Sequence, residues 1–146
     1  MTTSSHQFVA LVDDDPNLRA ACADLLKSAG LAAETFPSAE EFLQRACREA
    51  VRWLVLDLGL PGMGGLELLR HLRANGWSTP IVCITAMPDP DGKLEKQVLE
   101  AGAQTIFHKP FDSEELLRLL QSNGDHGQGG PDIGQRAGAA RRKRRS

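Results

Sequence analysis

Apolar runs alternate with amphipathic stretches five times along this chain, the pattern of strands laid side by side with a helix after each. Phe8 to Val12 reads as the first strand. Leu18, Cys22, Leu25, Leu26 and Ala29 then recur at helical spacing, with Gly30 as the stop. A second strand is predicted over Ala32 to Phe36, and Ser38 with Glu41 has the form of a capping box for a helix carrying Phe42, Leu43 and Ala46. Trp53 to Leu56 is apolar without a break, as a central strand buried on both faces requires, and the run stops at Asp57. A turn-rich loop, Pro61 to Gly65, leads to a third helix with Leu66, Leu69 and Leu72 facing inward, and Pro80 opens the fourth strand, Ile81 to Ile84. Pro88 and Pro90 delay the fourth helix to about Gly92, with Leu94, Val98 and Leu99 as its apolar face. Thr105 to Phe107 is the fifth strand. It runs through Lys109 and Pro110 into a last helix, where Asp112 and Glu115 repeat the capping pattern before Leu116, Leu117 and Leu120.

Composition narrows the class without naming a function. The 146 residues, 41% hydrophobic and 25% charged, suit one globular domain. The formal charge of -2 hides an asymmetry: residues 122 to 146 hold six Lys or Arg against Asp125 and Asp132, which leaves the first 121 residues at -6. An acidic body of that kind argues against nucleic-acid binding by the folded part, so any such contact belongs to the Gly-rich basic tail, which is expected to be disordered. Cys22, Cys47 and Cys83 are odd in number and widely spaced, and are expected as buried reduced thiols rather than a metal site. With no apolar run long enough to span a bilayer and no signal-peptide pattern, the expected location is cytoplasmic, with no membrane partner.

The chemistry collects where the strands end. In open parallel sheets ligands bind beyond the carboxyl ends of the strands. Asp13, Asp14 and Asp15 follow the first strand, Asp57 the third, Thr85 the fourth and Lys109 the fifth. Carboxylates gathered at one rim repel each other unless a cation neutralises them. An all-oxygen set without histidine suits Mg²⁺, with Mn²⁺ as the alternative, and disfavours zinc. A metal beside a lysine and a hydroxyl is equipped to handle a phosphoryl group, with a carboxylate able to act as nucleophile. Asp15 reads instead as a helix cap with Pro16 in the first turn, and neither His71 nor His108 is given a role.

Four motifs together carry a resemblance over about Phe8 to Gln121: Val12-Asp13-Asp14-Asp15-Pro16, Leu56-Asp57 through Gly65, Thr85-Ala86 and Lys109-Pro110-Phe111. In these the chain resembles the receiver domains of bacterial two-component response regulators. The resemblance implies a flavodoxin-like, doubly wound α/β fold: a five-stranded parallel sheet in the order 2-1-3-4-5 with five helices. It implies a receiver over residues 1–121 and a tail over 122–146. Asp57 would be the phosphoacceptor, and Asp14, Asp57 and the Gly59 carbonyl would ligate Mg²⁺, with Asp13 acting mainly through a water. Lys109, Thr85 and Ala86 would form the phosphoryl-binding and switch group, with Pro110 a candidate for a cis turn. The implied donor is a phosphohistidine on a sensor histidine kinase or a histidine phosphotransfer protein, the output a downstream protein, with a weak homodimer as a further partner. Such a chain is a phosphoacceptor that assists its own phosphorylation and dephosphorylation, not a turnover enzyme.

Two features depart from that pattern. The position three before Lys109, where these domains place an aromatic switch residue, is Ile106, and strand alternation turns the adjacent Phe107 to the other face. The segment from Met87 to Gly92 is also longer than usual. Three readings compete: a stand-alone receiver, since 146 residues leave no room for a winged-helix or helix-turn-helix output domain; a phosphorelay intermediate or an interaction module whose basic tail binds an anionic partner; and a phosphatase using Asp57 transiently. The haloacid-dehalogenase type of phosphatase wants a second Asp where this chain has Gly59.

Overall fold

Residues 7–122 are described by the computed structural model; the first six residues, and the predicted tail apart from Ser122, lie outside them. The elements run β1 (Phe8–Val12), α1 (Pro16–Ser28), β2 (Ala33–Phe36), α2 (Ala39–Arg45), β3 (Val51–Asp57), α3 (Gly65–Ala74), β4 (Ile81–Thr85), α4 (Lys93–Glu100), β5 (Thr105–His108) and α5 (Ser113–Gln121), with a short 3-10 turn, Arg48–Ala50, before β3. The five strands form one parallel sheet in the order β2-β1-β3-β4-β5. The order reverses beside β1, and this makes the crevice between the ends of β1 and β3 the natural ligand position.

Strand alternation builds two cores. Ala10 and Val12 of β1, Leu54 and Leu56 of β3, and Ile81 and Cys83 of β4 pack with Phe42 of α2, Leu68, Leu69 and Leu72 of α3, and Val98 of α4. Val9, Leu11, Trp53, Val55, Val82 and Ile84 pack on the opposite face with Cys22 and Leu26 of α1 and Leu116 and Leu120 of α5. The sheet is therefore covered on both sides, which explains the apolar runs of its central strands β1, β3 and β4.

Several expectations need correction. Cys47 is exposed, because it lies at the start of the 3-10 turn and not inside a helix, whereas Cys22 and Cys83 are buried; all three are free. Leu99 is 41% exposed: with only eight residues, α4 turns one narrow stripe inward, and Val98 occupies it. On α3, Leu68 is fully buried and Leu66 only partly so. The capping box at α2 is half formed: the Ser38 hydroxyl accepts from Glu41 N at 3.1 Å, but the Glu41 carboxylate turns to Arg45 at 2.8 Å. At α5, Asp112 accepts from Glu114 N rather than from Glu115. The delayed start of α4 has an unforeseen cap, since the Asp89 carboxylate accepts from Leu94 N and Glu95 N, both at 2.9 Å.

Candidate functional site

The sheet ladder itself carries the polar residues to one rim. Past the ends of the strands, Asp13 N donates to Phe36 O at 3.1 Å, Leu58 N to Ile84 O at 2.9 Å and Lys109 N to Thr85 O at 2.7 Å. Asp13, Asp57 and Lys109 are thereby set beside one another. A carboxylate oxygen from each of Asp13, Asp14 and Asp57 can be chosen so that the three lie within 4.8 Å of one another. Asp13 is fully buried and Asp57 nearly so, while Asp14 is exposed and opens the group to water.

Each buried carboxylate has defined partners. Asp13 Oδ2 receives Lys109 Nζ at 3.1 Å, and its Oδ1 receives Asp15 N at 2.9 Å. Asp57 Oδ1 receives Gly59 N at 3.1 Å, and its Oδ2 lies 3.6 Å from Lys109 Nζ. One ammonium thus serves two carboxylates. The Lys109–Pro110 peptide is cis. Thr85 is fully buried, and its hydroxyl accepts from Met87 N at 3.0 Å, whereas Ala86 is exposed. Asp15 caps α1, accepting from Asn17 N at 2.9 Å.

Burial is the largest influence on Asp57 and raises its pKa; the Gly59 N–H and Lys109 lower it, but with Asp13 and Asp14 adding repulsion the net direction is upward from the ordinary carboxylate value. For Lys109 burial alone would lower the pKa. The hydrogen bond that Lys109 donates to Asp13 and the charges of Asp57 and Asp13 outweigh it, so the ammonium is held above the ordinary lysine value. Cys22, on the α1 face below the site, is raised by burial and then by Asp13.

A family model for the response regulator receiver domain matches residues 9–121. The chain belongs to that family. This receiver is 36% identical over 114 residues to the response regulator protein TodT of Pseudomonas putida, covering 78% of this chain and 49% of TodT. It is 42% identical over 112 residues to the two-component response regulator PhoP of Pseudomonas aeruginosa, covering 77% of this chain and 49% of PhoP. The chain spans about half the length of these curated relatives. Among solved structures it matches the response regulator StyR at 38% identity and a TM-score of 0.73, over 82% of this chain and 59% of that one. It also matches the BeF3-activated N-terminal receiver domain of Klebsiella pneumoniae RstA at 27% identity and a TM-score of 0.73, over 82% and 99%.

The receiver site contains two tethers that periodicity and motif could not reveal. Arg19 donates to the Asp13 carbonyl at 2.8 Å, fixing the acidic loop from α1. Glu40, in the first turn of α2, accepts from Met63 N at 3.0 Å across 23 residues of sequence, and this hydrogen bond is the main cause of its lowered pKa. Ile106 packs in the core that holds Cys83 and Val98, while Phe107 lies on the other face against Phe111, ring centroids 5.8 Å apart. Among the described residues no helix is long and apolar enough to cross a membrane.

Proposed function

We propose that Asp57 accepts a phosphoryl group from a phosphohistidine on a sensor histidine kinase or a histidine phosphotransfer protein, and that the phosphorylated receiver changes its binding of a downstream protein. The observation that carries this reading is the Lys109 ammonium, 3.1 Å from Asp13 and 3.6 Å from Asp57 beside an exposed Asp14. Three carboxylates against one ammonium leave a deficit of two charges, which a single small divalent cation matches. The donor set is all oxygen and open to water through Asp14, so it fits Mg²⁺ or Mn²⁺ and suits zinc poorly. Asp14, Asp57 and the Gly59 carbonyl would hold the ion directly and Asp13 through a water. The ion, when bound, neutralises charge on the carboxylates and the phosphoryl oxygens.

The chain's own groups then divide the work. An Asp57 oxygen attacks phosphorus, the O–P bond forms as the donor's P–N bond breaks, and the imidazole leaves with the nitrogen's electron pair and takes a proton from solvent. Lys109, already charged, pairs with a phosphoryl oxygen. The Thr85 hydroxyl can donate its proton to another oxygen while still accepting from Met87 N, because a hydroxyl does both. The receiver is assigned to residues 1–121, with 122–146 an appended basic segment, and a cytoplasmic location agrees with a kinase partner of this class. Incubation with Mg²⁺ and acetyl phosphate should give stoichiometric, Mg²⁺-dependent labelling of the native chain and none of Asp57→Asn. Equal labelling of the two proteins would end the proposal.

A further inference from the structure

The loop that follows Asp57 is set by carboxylates at two points. Gly59 N donates to Asp57 itself, and Met63 N donates to Glu40 of α2. The loop's far end is fixed by backbone packing, since a Cβ on Gly65 would run into the Asp57 carbonyl oxygen and would stand 2.7 Å from Leu58 Cα. Its near end is fixed by Leu58 and Leu60, both buried in the same core as Ala39 and Phe42 of α2. Between these anchors, Gly62 adopts φ +71° directly beneath the Glu40 carboxylate: a Cβ there would lie 2.9 Å from Glu40 Oε2. Such an approach needs a residue without a side chain. Glu41, the neighbour that the capping pattern singled out, is committed to Arg45, so Glu40 is the acid that reaches the loop.

We propose that Glu40 is a positioning residue for the phosphoryl-accepting site: its carboxylate tethers Met63 and so presents the Gly59 carbonyl to the metal position beside Asp57. This deepens the reading of Gly59 as a metal ligand and rests on it. Glu40 touches no reacting atom. It acts by reducing the freedom of a loop that otherwise must be ordered when the ion binds. The platform beneath it is stiff, because Ala39 and Phe42 of α2 are fully buried.

Two variants separate the tether from the charge. Glu40→Ala removes the acceptor, whereas Glu40→Gln keeps an amide oxygen able to accept from Met63 N but removes the charge. In metal-free protein, amide hydrogen exchange at Met63 and Gly59 should accelerate roughly three- to tenfold in Glu40→Ala, the range for an ordinary exposed hydrogen bond, and stay near native in Glu40→Gln. The Mg²⁺ concentration for half-maximal labelling by acetyl phosphate should rise by a similar factor in Glu40→Ala and be restored in Glu40→Gln. Gly62→Ala, which strains the loop at φ +71° and also crowds the carboxylate, should shift both readouts in the direction of Glu40→Ala. Unchanged exchange and an unchanged Mg²⁺ midpoint in Glu40→Ala would overturn the proposal. So would a Glu40→Gln variant that behaves like Glu40→Ala, since the charge and not the tether would then be at work. Failure of the phosphoacceptor reading shows separately, as labelling that survives Asp57→Asn, and leaves the metal-free exchange result standing on its own.

Discussion

Lys109→Met tests whether one ammonium neutralises the buried acids. The substitution keeps an apolar stem of similar length and removes only the charge. At an effective dielectric constant near 20, unit charges at the observed 3.1 and 3.6 Å attract by about 5 kcal/mol each before desolvation is counted. Breaking a buried pair by deleting one partner costs about 3–5 kcal/mol, because the remaining charge is left in place. Lys109 keeps a quarter of its side chain exposed while Asp13 keeps none, so the loss belongs at the lower end, about 3 kcal/mol at neutral pH. That is a large share of the roughly 5–15 kcal/mol typical of a domain.

The pH dependence gives the test its sign. Asp57 already has a pKa above the ordinary 3.8, and Lys109 is one of two groups that lower it, the other being the Gly59 N–H. Removing Lys109 moves Asp57 further upward. A carboxyl group whose folded pKa exceeds its unfolded value binds more protons when folded, so stability falls as pH rises from 3.8 through the raised value. The variant's deficit should therefore be greatest at neutral pH and shrink on acidification. Lys109's own contribution in the native chain behaves differently: it is complete below the ordinary lysine pKa and is lost as pH rises through the raised one. Urea unfolding read at several pH values, with and without Mg²⁺, checks both points; a 3 kcal/mol loss corresponds to a midpoint shift of about 1–3 M. Saturating Mg²⁺ should recover more stability in the variant than in the native chain. A neutral-pH loss below about 1 kcal/mol, flat across pH, would refute the electrostatic account.

Asp57→Asn should raise the unfolding midpoint of the metal-free protein at neutral pH and weaken its stabilisation by Mg²⁺, because it removes one of three mutually repelling carboxylates; denaturation with and without the ion reads both effects. Arg73→Met should cost about 2 kcal/mol, measured by the same unfolding assay, since this guanidinium donates to the part-buried carbonyls of Trp77 and Thr79 at 2.6 and 2.9 Å and its loss leaves both without that donor. Asp89→Ala should cost about 1 kcal/mol and speed amide exchange at Leu94 and Glu95, the two donors it caps, without altering exchange in α5.

Local patterns carried the fold because the central strands β1, β3 and β4 are short apolar runs and α1, α2 and α5 each begin at a side-chain cap, Asp15, Ser38 and Asp112. The same patterns misplaced residues where the answer depends on what lies across the chain. Leu68 is buried and Leu99 exposed because α3 lies against the middle of the sheet while α4 meets it through a narrow stripe. Asp13, Asp14, Asp57, Thr85 and Lys109 were legible as a set because parallel strands bring all their carboxyl ends to one rim. Glu40 and Arg19 were not, since each works through a backbone group of a distant or turned segment and no spacing rule marks such a partner. Asp89 escaped for a related reason: it caps a helix from outside its first turn, five and six residues ahead of the amides it holds.

The parity of the strands also constrains how a change at the site can leave it. By alternation, Asp13 continues the Val9 and Leu11 side of β1, Asp57 the Trp53 and Val55 side of β3, and Lys109 the Phe107 side of β5, all facing α1 and α5. Thr85 continues the Ile81 and Cys83 side of β4 and so faces the core that contains Ile106 and Val98 of α4. Thr85 is joined to the ionic cluster through its backbone, where its carbonyl accepts from Lys109 N, and its hydroxyl holds Met87 N at the start of the segment that leads to the Asp89 cap. A new charge-assisted hydrogen bond from Thr85 contributes roughly 1.5–3 kcal/mol. Moving a switch from 1:99 to 99:1 takes about 5.5 kcal/mol. If phosphorylation of Asp57 works such a switch, Ile106 offers no hydroxyl or aromatic ring edge to add a second polar contact, and the remainder would come from the binding energy of a partner.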